Sequence, residues 1–225
     1  ARRHHARMSH FLQADPRTQA VSGMDVADVH VWRLPHHRGA DRSALAALLA
    51  AYLGVPAATL VFVAGPHGKP ALAPPHDRLS FSWSHGGAYA LAAVGCGVDL
   101  GVDLEQVRPR PRALELAERY FAAEEATALH ALPDDAARTQ AFFVLWTAKE
   151  AVLKALGRGL AFGPARVAFA LQAGRARPLA FAGEAAPAGA WQLHALAPAG
   201  GYVGAVAWRG GPRRVSTFAA DAPIS

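Results

Sequence analysis

Apolar residues recur along this chain with two different periods, and the changes of period mark its elements. Val29 to Leu34 alternates apolar and polar side chains, which predicts a strand. Leu45, Leu48, Leu49 and Tyr52 then recur at helical spacing, with Asp41 able to cap the helix start and Gly54 ending it. Leu60 to Ala64 reads as a short strand and Gly65 to Pro75 as a Pro- and Gly-rich loop. Leu79 to Ser84 and Ala88 to Val94 are predicted strands around His85-Gly86-Gly87. A turn at Gly95 to Gly97 leads into another strand, Val98 to Glu105.

Beyond the turn Arg108 to Pro111 the period becomes helical. Two short helices, about Arg112 to Tyr120 and Ala123 to His130, precede a long one capped near Asp134 and ending at Gly157. The remainder from Ala165 is strand-like: Arg166 to Leu171, Trp191 to Leu196, Tyr202 to Trp208 and Arg213 to Phe218. The first twenty or so residues show neither period and are read as irregular. Each half therefore runs strand and helix first, then strands. A weak echo supports a duplication: Trp83, His85 and Gly86-Gly87-Ala88-Tyr89 precede one Ala/Val-rich strand, and Trp191, His194 and Gly200-Gly201-Tyr202 precede another. The predicted fold class is α+β, with two similar α+β halves, residues 1–97 and 98–225, meeting near Gly95 to Gly101.

Two features break the apolar pattern. In Gly101-Val102-Asp103-Leu104-Glu105, period two places Asp103 and Glu105 on one strand face while Val102 and Leu104 point into the core. Adjacent carboxylates repel unless a cation lies between them. Alone, this pattern fits a solvated strand face better than a site. In the long helix, Phe142, Leu145, Val152, Leu153 and Leu156 form one stripe with Lys149 near its middle. A buried ammonium must meet a carboxylate, a phosphate or water. Trp146, Glu150 and Lys154 share the flank of that stripe. A helix ion pair worth ~0.3–0.5 kcal/mol would explain Glu150 and Lys154, but not Lys149. A third carboxylate delivered by a helix to a strand pair, with two lysines beside it, makes an oxygen-ligand site for a hard cation such as Mg²⁺ and for substrate phosphates.

Composition adds boundaries. The 225 residues are 52% hydrophobic, enough for one large core or two small ones. The charged fraction of 18%, with abundant Ala, Gly and Pro, argues against a coiled coil or a disordered tail. The formal charge of +6 attracts anionic partners. The basic residues Arg2, Arg3, Arg7, Arg108, Arg110, Arg112, Arg213 and Arg214 are scattered, so no nucleic-acid arm is expected. A single cysteine, Cys96, forbids an internal disulfide and fits a reducing, cytoplasmic setting. Ala1 to His10 lacks a signal-peptide core, and no apolar stretch is long enough to span a bilayer, so no membrane partner is expected. His4, His5, His36 and His37 lack partners at zinc spacing.

The strand Gly101 to Glu105 and the helix segment Trp146-Thr147-Ala148-Lys149-Glu150-Ala151-Val152-Leu153-Lys154 together resemble the 4′-phosphopantetheinyl transferases of the long, surfactin-activator-type branch. Glu118-Arg119-Tyr120-Phe121 through Glu124-Glu125, Gly157-x-Gly159-Leu160, Gly68-Lys69-Pro70 and Phe81-Ser82-Trp83-Ser84-His85-Gly86-Gly87 also look like the family. Ser82 stands where Asn is usual, and Gly86 where a second Ser is usual. Asp99 in the earlier Gly97-Val98-Asp99-Leu100 is a decoy, because no Glu follows it two residues on.

The resemblance implies a pseudo-twofold fold with the active site between the halves, the coenzyme loops in the first and the metal carboxylates in the second. It implies that Asp103, Glu105 and Glu150 hold Mg²⁺ (or Mn²⁺), with coenzyme A as co-substrate. Arg42, Ser43, Lys69, Pro70, Ser84, His85 and Lys154 would contact the coenzyme, with Arg38 in the loop before them as a further candidate. Glu150, Lys154 and Lys149 would assist catalysis, with Glu150 the family's proposed base. The implied partner is an apo acyl or peptidyl carrier protein of a fatty-acid, polyketide or nonribosomal peptide pathway, docked near Arg112 to His130, with the enzyme a monomer.

Overall fold

The computed structural model describes residues 11–21, 24–65 and 67–220. Its elements run β1 (Leu12–Gln13), α1 (Pro16–Val21), β2 (Asp28–Pro35), α2 (Ser43–Leu53), β3 (Phe62–Ala64), β4 (Pro70–Leu72), β5 (Leu79–Gly86) and β6 (Tyr89–Cys96). They continue with β7 (Leu100–Gln106), α3 (Ala113–Tyr120), α4 (Ala123–His130), α5 (Asp135–Ala155), β8 (Val167–Gln172), β9 (Arg175–Phe181), β10 (Trp191–Leu196), β11 (Tyr202–Arg209) and β12 (Arg214–Ala219). The class is α+β, as the alternating periods require.

Period-two burial makes the molecule layered. In β2 the side chains of Trp32 and Leu34 join a core under α2, while Val29 and Val31 join a second core on the opposite face. β6 divides in the same way, Ala92 and Val94 from Leu91 and Ala93. That second core is shared with Val102 and Leu104 of β7 and Val206 and Trp208 of β11. The remaining face of β7 and β11 is covered by α5, whose Leu145, Ala148 and Val152 are buried with Ala205 and Ala207. The order of layers is therefore α2, a five-stranded sheet (β1-β12-β2-β6-β5), a three-stranded sheet (β10-β11-β7), and α5.

The connections repeat. In the first sheet β6 pairs antiparallel with both β2 and β5, and in the second β11 pairs antiparallel with both β7 and β10. In each case helical structure, α2 in the first and α3 to α5 in the second, and a two-stranded hairpin, β3–β4 or β8–β9, lie between the first of these strands and the last two.

Local chemistry sets the helix ends. Gly54 closes α2 at φ 64°, a left-handed conformation open to glycine, and its N–H donates to Ala50 O. The Asp41 carboxylate accepts from Ser43 N at 2.9 Å from two residues ahead of the helix, the N-cap position itself being Arg42 rather than the expected Asp41. Asp134 caps α5 by accepting from Ala137 N at 2.8 Å.

Five elements depart from the sequence expectation. Residues 70–72, expected within a loop, pair with 62–64, because a Pro at a strand's first residue needs no ladder donor there. β9 was not expected: its Pro178 lies opposite Phe169, next to the register shift at Ala168/Phe169 that accommodates it. The expected irregular start contains β1 and α1, with β1 held through parallel pairing to β12. Finally, β12 pairs with β2 in the first sheet, so the sheets do not divide the chain at residue 97. Arg2, Arg3, Arg7, His4 and His5 lie outside the described residues.

His30 sits in the core under α2, edge-on to Phe218, with its Nδ1 2.7 Å from the Tyr52 hydroxyl. Trp32 Nε1 donates to the same hydroxyl at 2.8 Å, which leaves the Tyr52 proton for a neutral His30. Burial pushes the His30 pKa below its ordinary value, opposed by Asp28 and aided by Arg214. The unfolded chain therefore takes up a proton near pH ~6.5 that the folded chain refuses, so stability falls as pH drops through that value. The melting temperature should decline from pH 7 to pH 5, and His30→Phe should flatten that decline. An identical pH slope in the variant would contradict the assignment.

Candidate active site

The site begins with a glycine. A Cβ at Gly101 would collide with Ala151 O, Ala155 N and the Lys154 Cβ, so β7 lies directly against the backbone of α5. This approach brings the carboxylates of β7 to the last turns of α5. Lys154 Nζ donates to Asp103 Oδ1 at 2.7 Å, to Ser84 Oγ at 2.9 Å and to Val102 O at 3.2 Å. Ser84, from β5, donates its own hydroxyl proton to Asp103 Oδ1 at 2.8 Å. Three elements thus meet at one carboxylate.

Asp103 is buried, and its second oxygen, Oδ2, has no hydrogen-bond partner among the described residues. An orphaned buried carboxylate oxygen is expensive unless something outside the protein satisfies it. Glu105 and Glu150 lie in the same field. Burial first, then Asp103, pushes the Glu105 carboxyl up, against the pull of Arg110, Arg108 and Lys154. Glu150 is pushed up to about 7 by burial first and then by Asp103 and Glu105, with Lys154 opposing. Three mutually repelling oxygen donors beside an orphaned oxygen suit a hard divalent cation in chemical type. Among the described residues, however, no three His, Cys, Asp or Glu side chains converge in a ready-made ligand set. Lys154 lies against Asp103 in this arrangement.

A pocket of about 250 Å³ opens beside this cluster, between the start of α2, the β3–β4 turn, β5 and the end of α5. Arg42, Lys69 and Lys154 supply three cations to its wall, with Pro70, Phe81 and Trp83 as apolar surface. Lys69 Nζ donates to Leu100 O at 3.0 Å, bridging toward the end of α5, and burial pushes its pKa down. Ser43 is exposed at the first turn of α2, and Arg38 is exposed in the loop before it. His85 is exposed and stacks on His36 at 4.3 Å. Neither Ser43, Ser84 nor His85 lines the pocket. Asp99 is exposed and precedes β7.

The two family departures have a physical reading. Ser82 Oγ accepts from Val102 N at 3.0 Å, clipping β5 to β7. A Cβ at Gly86 would lie 3.3 Å from Leu104 O, so a bare backbone suits that close approach.

Lys149 is not part of this cluster, and its expected catalytic placement is corrected. Its ammonium, with 1% of the side chain exposed, pairs with Glu125 Oε2 at 2.6 Å. It also donates to Pro164 O at 3.0 Å and Val167 O at 2.7 Å, and lies over the Phe121 ring. Glu125 in turn accepts from Ala122 N and Phe169 N, both at 2.8 Å. The carboxylate that Lys149 requires is therefore a structural one, tying α4, α5 and β8 together. Sequence reasoning quoted Glu125 without giving it this role. The available signal was its place three residues after Ala122, the N-cap of α4, where a Glu reaches back to accept the N-cap N–H.

Residues 99–207 match the family model described as the 4′-phosphopantetheinyl transferase superfamily. The chain is 42% identical over 123 residues to a putative 4′-phosphopantetheinyl transferase of Synechocystis, covering 54% of this chain and 50% of that protein. It is 38% identical over 149 residues to the transferase HetI of Nostoc, 63% and 61% of the two chains. With the transferase Sfp of Bacillus subtilis it shares 34% over 94 residues, 42% and 40% of the two. The aligned stretches span about half to three-fifths of the two cyanobacterial relatives.

Two outcomes are expected. In the metal-free protein, carbon-13 NMR should show Glu150 titrating lower in Asp103→Asn, which removes a repelling charge, and higher in Lys154→Met, which removes an attracting one. Opposite shifts would refute the cluster. Glu125→Ala strands Lys149 in the core and should cost about 3–5 kcal/mol in denaturant unfolding; a loss below ~1 kcal/mol would contradict a buried pair.

Proposed function

We propose that this protein transfers 4′-phosphopantetheine from coenzyme A to a serine of an apo acyl or peptidyl carrier protein, releasing adenosine 3′,5′-bisphosphate. The observation that carries the reading is the junction of the Asp103, Ser84 and Lys154 cluster with a three-cation pocket. One side holds oxygen donors and the other suits a polyphosphate. We place the protein in the long, surfactin-activator-type branch, with the repeated connections of its two halves as a pseudo-twofold pair. It would act as a cytoplasmic monomer.

Asp103, Glu105 and Glu150 would hold a divalent cation, Mg²⁺ or Mn²⁺, with Asp103 Oδ2 as the waiting donor. When bound, the cation would neutralise charge on the pyrophosphate and on the transferring phosphoryl group. Arg42, Lys69 and Lys154 would orient the coenzyme phosphates, with Pro70, Ser43, Ser84 and His85 as further coenzyme contacts. Lys154 is the group best placed to move between Asp103 and a phosphate oxygen, since it already bridges the carboxylate cluster and the pocket wall. Glu150, with its carboxyl at about 7 in the metal-free chain, would accept the serine proton near neutral pH. Ligation would lower that value and weaken it as a base.

The carrier would dock near α3 and α4. Beside them a cleft of about 550 Å³ is lined by Arg108, Arg110 and Arg138, with Pro109, Pro111 and Leu114. Its positive rim would suit an acidic helix around the acceptor serine.

The test is to incubate the protein with coenzyme A, Mg²⁺ and several apo carriers and to weigh the carriers. A pantetheine phosphate increment is expected, lost on chelation and in Asp103→Ala while the variant stays folded. Absence of the increment with every carrier would falsify the transferase reading. Pyrophosphate cleavage without any carrier would instead indicate a hydrolase. Near-normal transfer by Asp103→Ala would overturn the metal assignment alone.

A further inference from the structure

The turn between β5 and β6 is fastened from outside its own sheet. A Cβ at Gly86 would lie 3.3 Å from Leu104 O and 3.9 Å from the Glu105 Cα, so the turn rests on the end of β7 where Glu105 stands. A Cβ at Gly87 would run into the Tyr202 hydroxyl and lie 2.7 Å from Gln106 Oε1. Gly87 also sits at φ 59°, which glycine adopts without steric cost. Bare backbone at both positions lets the turn lie this close.

Ala88, the last residue of the turn, commits both of its backbone groups to other elements. Its N–H donates to the Tyr202 hydroxyl at 3.0 Å, and its C=O accepts from His36 N at 2.9 Å. Tyr202 begins β11 and stands opposite Gln106 of β7, next to Glu105. Its ring packs edge-on to Tyr89, with centroids 5.2 Å apart, which holds the hydroxyl in place. The hairpin ladder fixes the turn within the first sheet. Tyr202 fixes it against the second, the sheet that carries Asp103 and Glu105.

The side chain this turn presents is His85. Period two puts Phe81, Trp83 and His85 on one face of β5, with Ser82 and Ser84 turned toward β7. Phe81 and Trp83 line the cationic pocket, so His85 continues that wall beyond Trp83. Its ring is exposed and lies on His36, 4.3 Å away with 23° between the planes. Lys154, bonded to Asp103, lines the same pocket from α5. A ligand reaching from Lys154 to His85 therefore touches two layers, and its affinity depends on how firmly their separation is held.

We propose that Tyr202 is a positioning residue for coenzyme binding. Its hydroxyl holds the turn, and with it His85, at a fixed distance from the Asp103 and Lys154 cluster, so that one coenzyme A engages both. Tyr202 itself touches no substrate. The inference rests on the transferase reading, in which His85 and Lys154 contact the coenzyme. Without the hydroxyl the turn is free to move, and the coenzyme must order it on binding.

Calorimetric titration of coenzyme A into the full chain, with Mg²⁺ present, provides the test in four forms: wild type, Tyr202→Phe, His85→Ala and the double variant. Tyr202→Phe keeps the ring packing, and the exposed Ala88 can turn its N–H to water, so the melting temperature should stay close to that of the wild type. Coenzyme A should bind about three- to tenfold more weakly, the scale of one hydrogen bond. The KM for coenzyme A should rise by the same factor, with kcat and the KM for the carrier unchanged. Because Tyr202 acts through His85, the double variant should bind no more weakly than His85→Ala alone. Wild-type affinity in Tyr202→Phe would overturn this inference alone, as would an equal loss with and without His85, the mark of general loosening. A wild type that binds no coenzyme A would overturn the transferase reading and this inference with it.

Discussion

The candidate site depends on how closely β7 approaches α5. At Gly101 strand and helix backbones meet with no side chain between them. One methyl group there would push the helix outward, and every distance in the cluster would lengthen with it. Asp103 and Lys154 need this approach, because a strand side chain and a helix side chain form a 2.7 Å contact only when their backbones are held near one another. On its other flank β7 receives the small residues Ser82, Ser84 and Gly86 of β5. The strand that carries the carboxylates is therefore gripped from both sides by elements chosen for small size.

Two ion pairs on the same helix show how burial separates structure from chemistry. Lys149 and Lys154 are five residues apart, and each contacts a carboxylate. Lys149 is sealed: Glu125, two carbonyls and two aromatic rings surround it, and Glu125 is satisfied by two backbone N–H groups as well. Nothing is left over for a substrate. Lys154 is 28% exposed, borders a pocket, and bonds a carboxylate whose other oxygen is unpartnered. A fully satisfied pair holds the helix in place, and an incompletely satisfied one retains capacity for a ligand.

Much of this was legible in the sequence because periodicity is a local property. Alternation in Val29 to Leu34 and the stripe on the long helix gave their elements within a residue or two. The spacing of Asp103 and Glu105 put them on one face, with Val102 and Leu104 turned into the core. What was not legible required partners distant in the chain. β9 has a Pro in mid-strand and little alternation, so only its pairing with β8 defines it. Lys149 announced that it needed a carboxylate, a phosphate or water but not which; that Glu125 meets it is a contact between distant residues that only the fold reveals. The position of β12 had no sequence signal, because the edge of either sheet would have accepted its pattern.

That strand has a consequence for how the chain reaches its fold. β12 sits between β1 and β2, and its Arg214 bonds Asp28 across 186 residues of sequence. The first sheet cannot be completed from the first half alone. During synthesis β2 must wait, one edge unpaired, until residues 214–219 have emerged. Contacts of such long sequence separation slow folding and leave a strand edge open to wrong partners in the meantime. The last strand acts as a clasp, and a chain cut between the two apparent halves would be expected to leave that edge exposed.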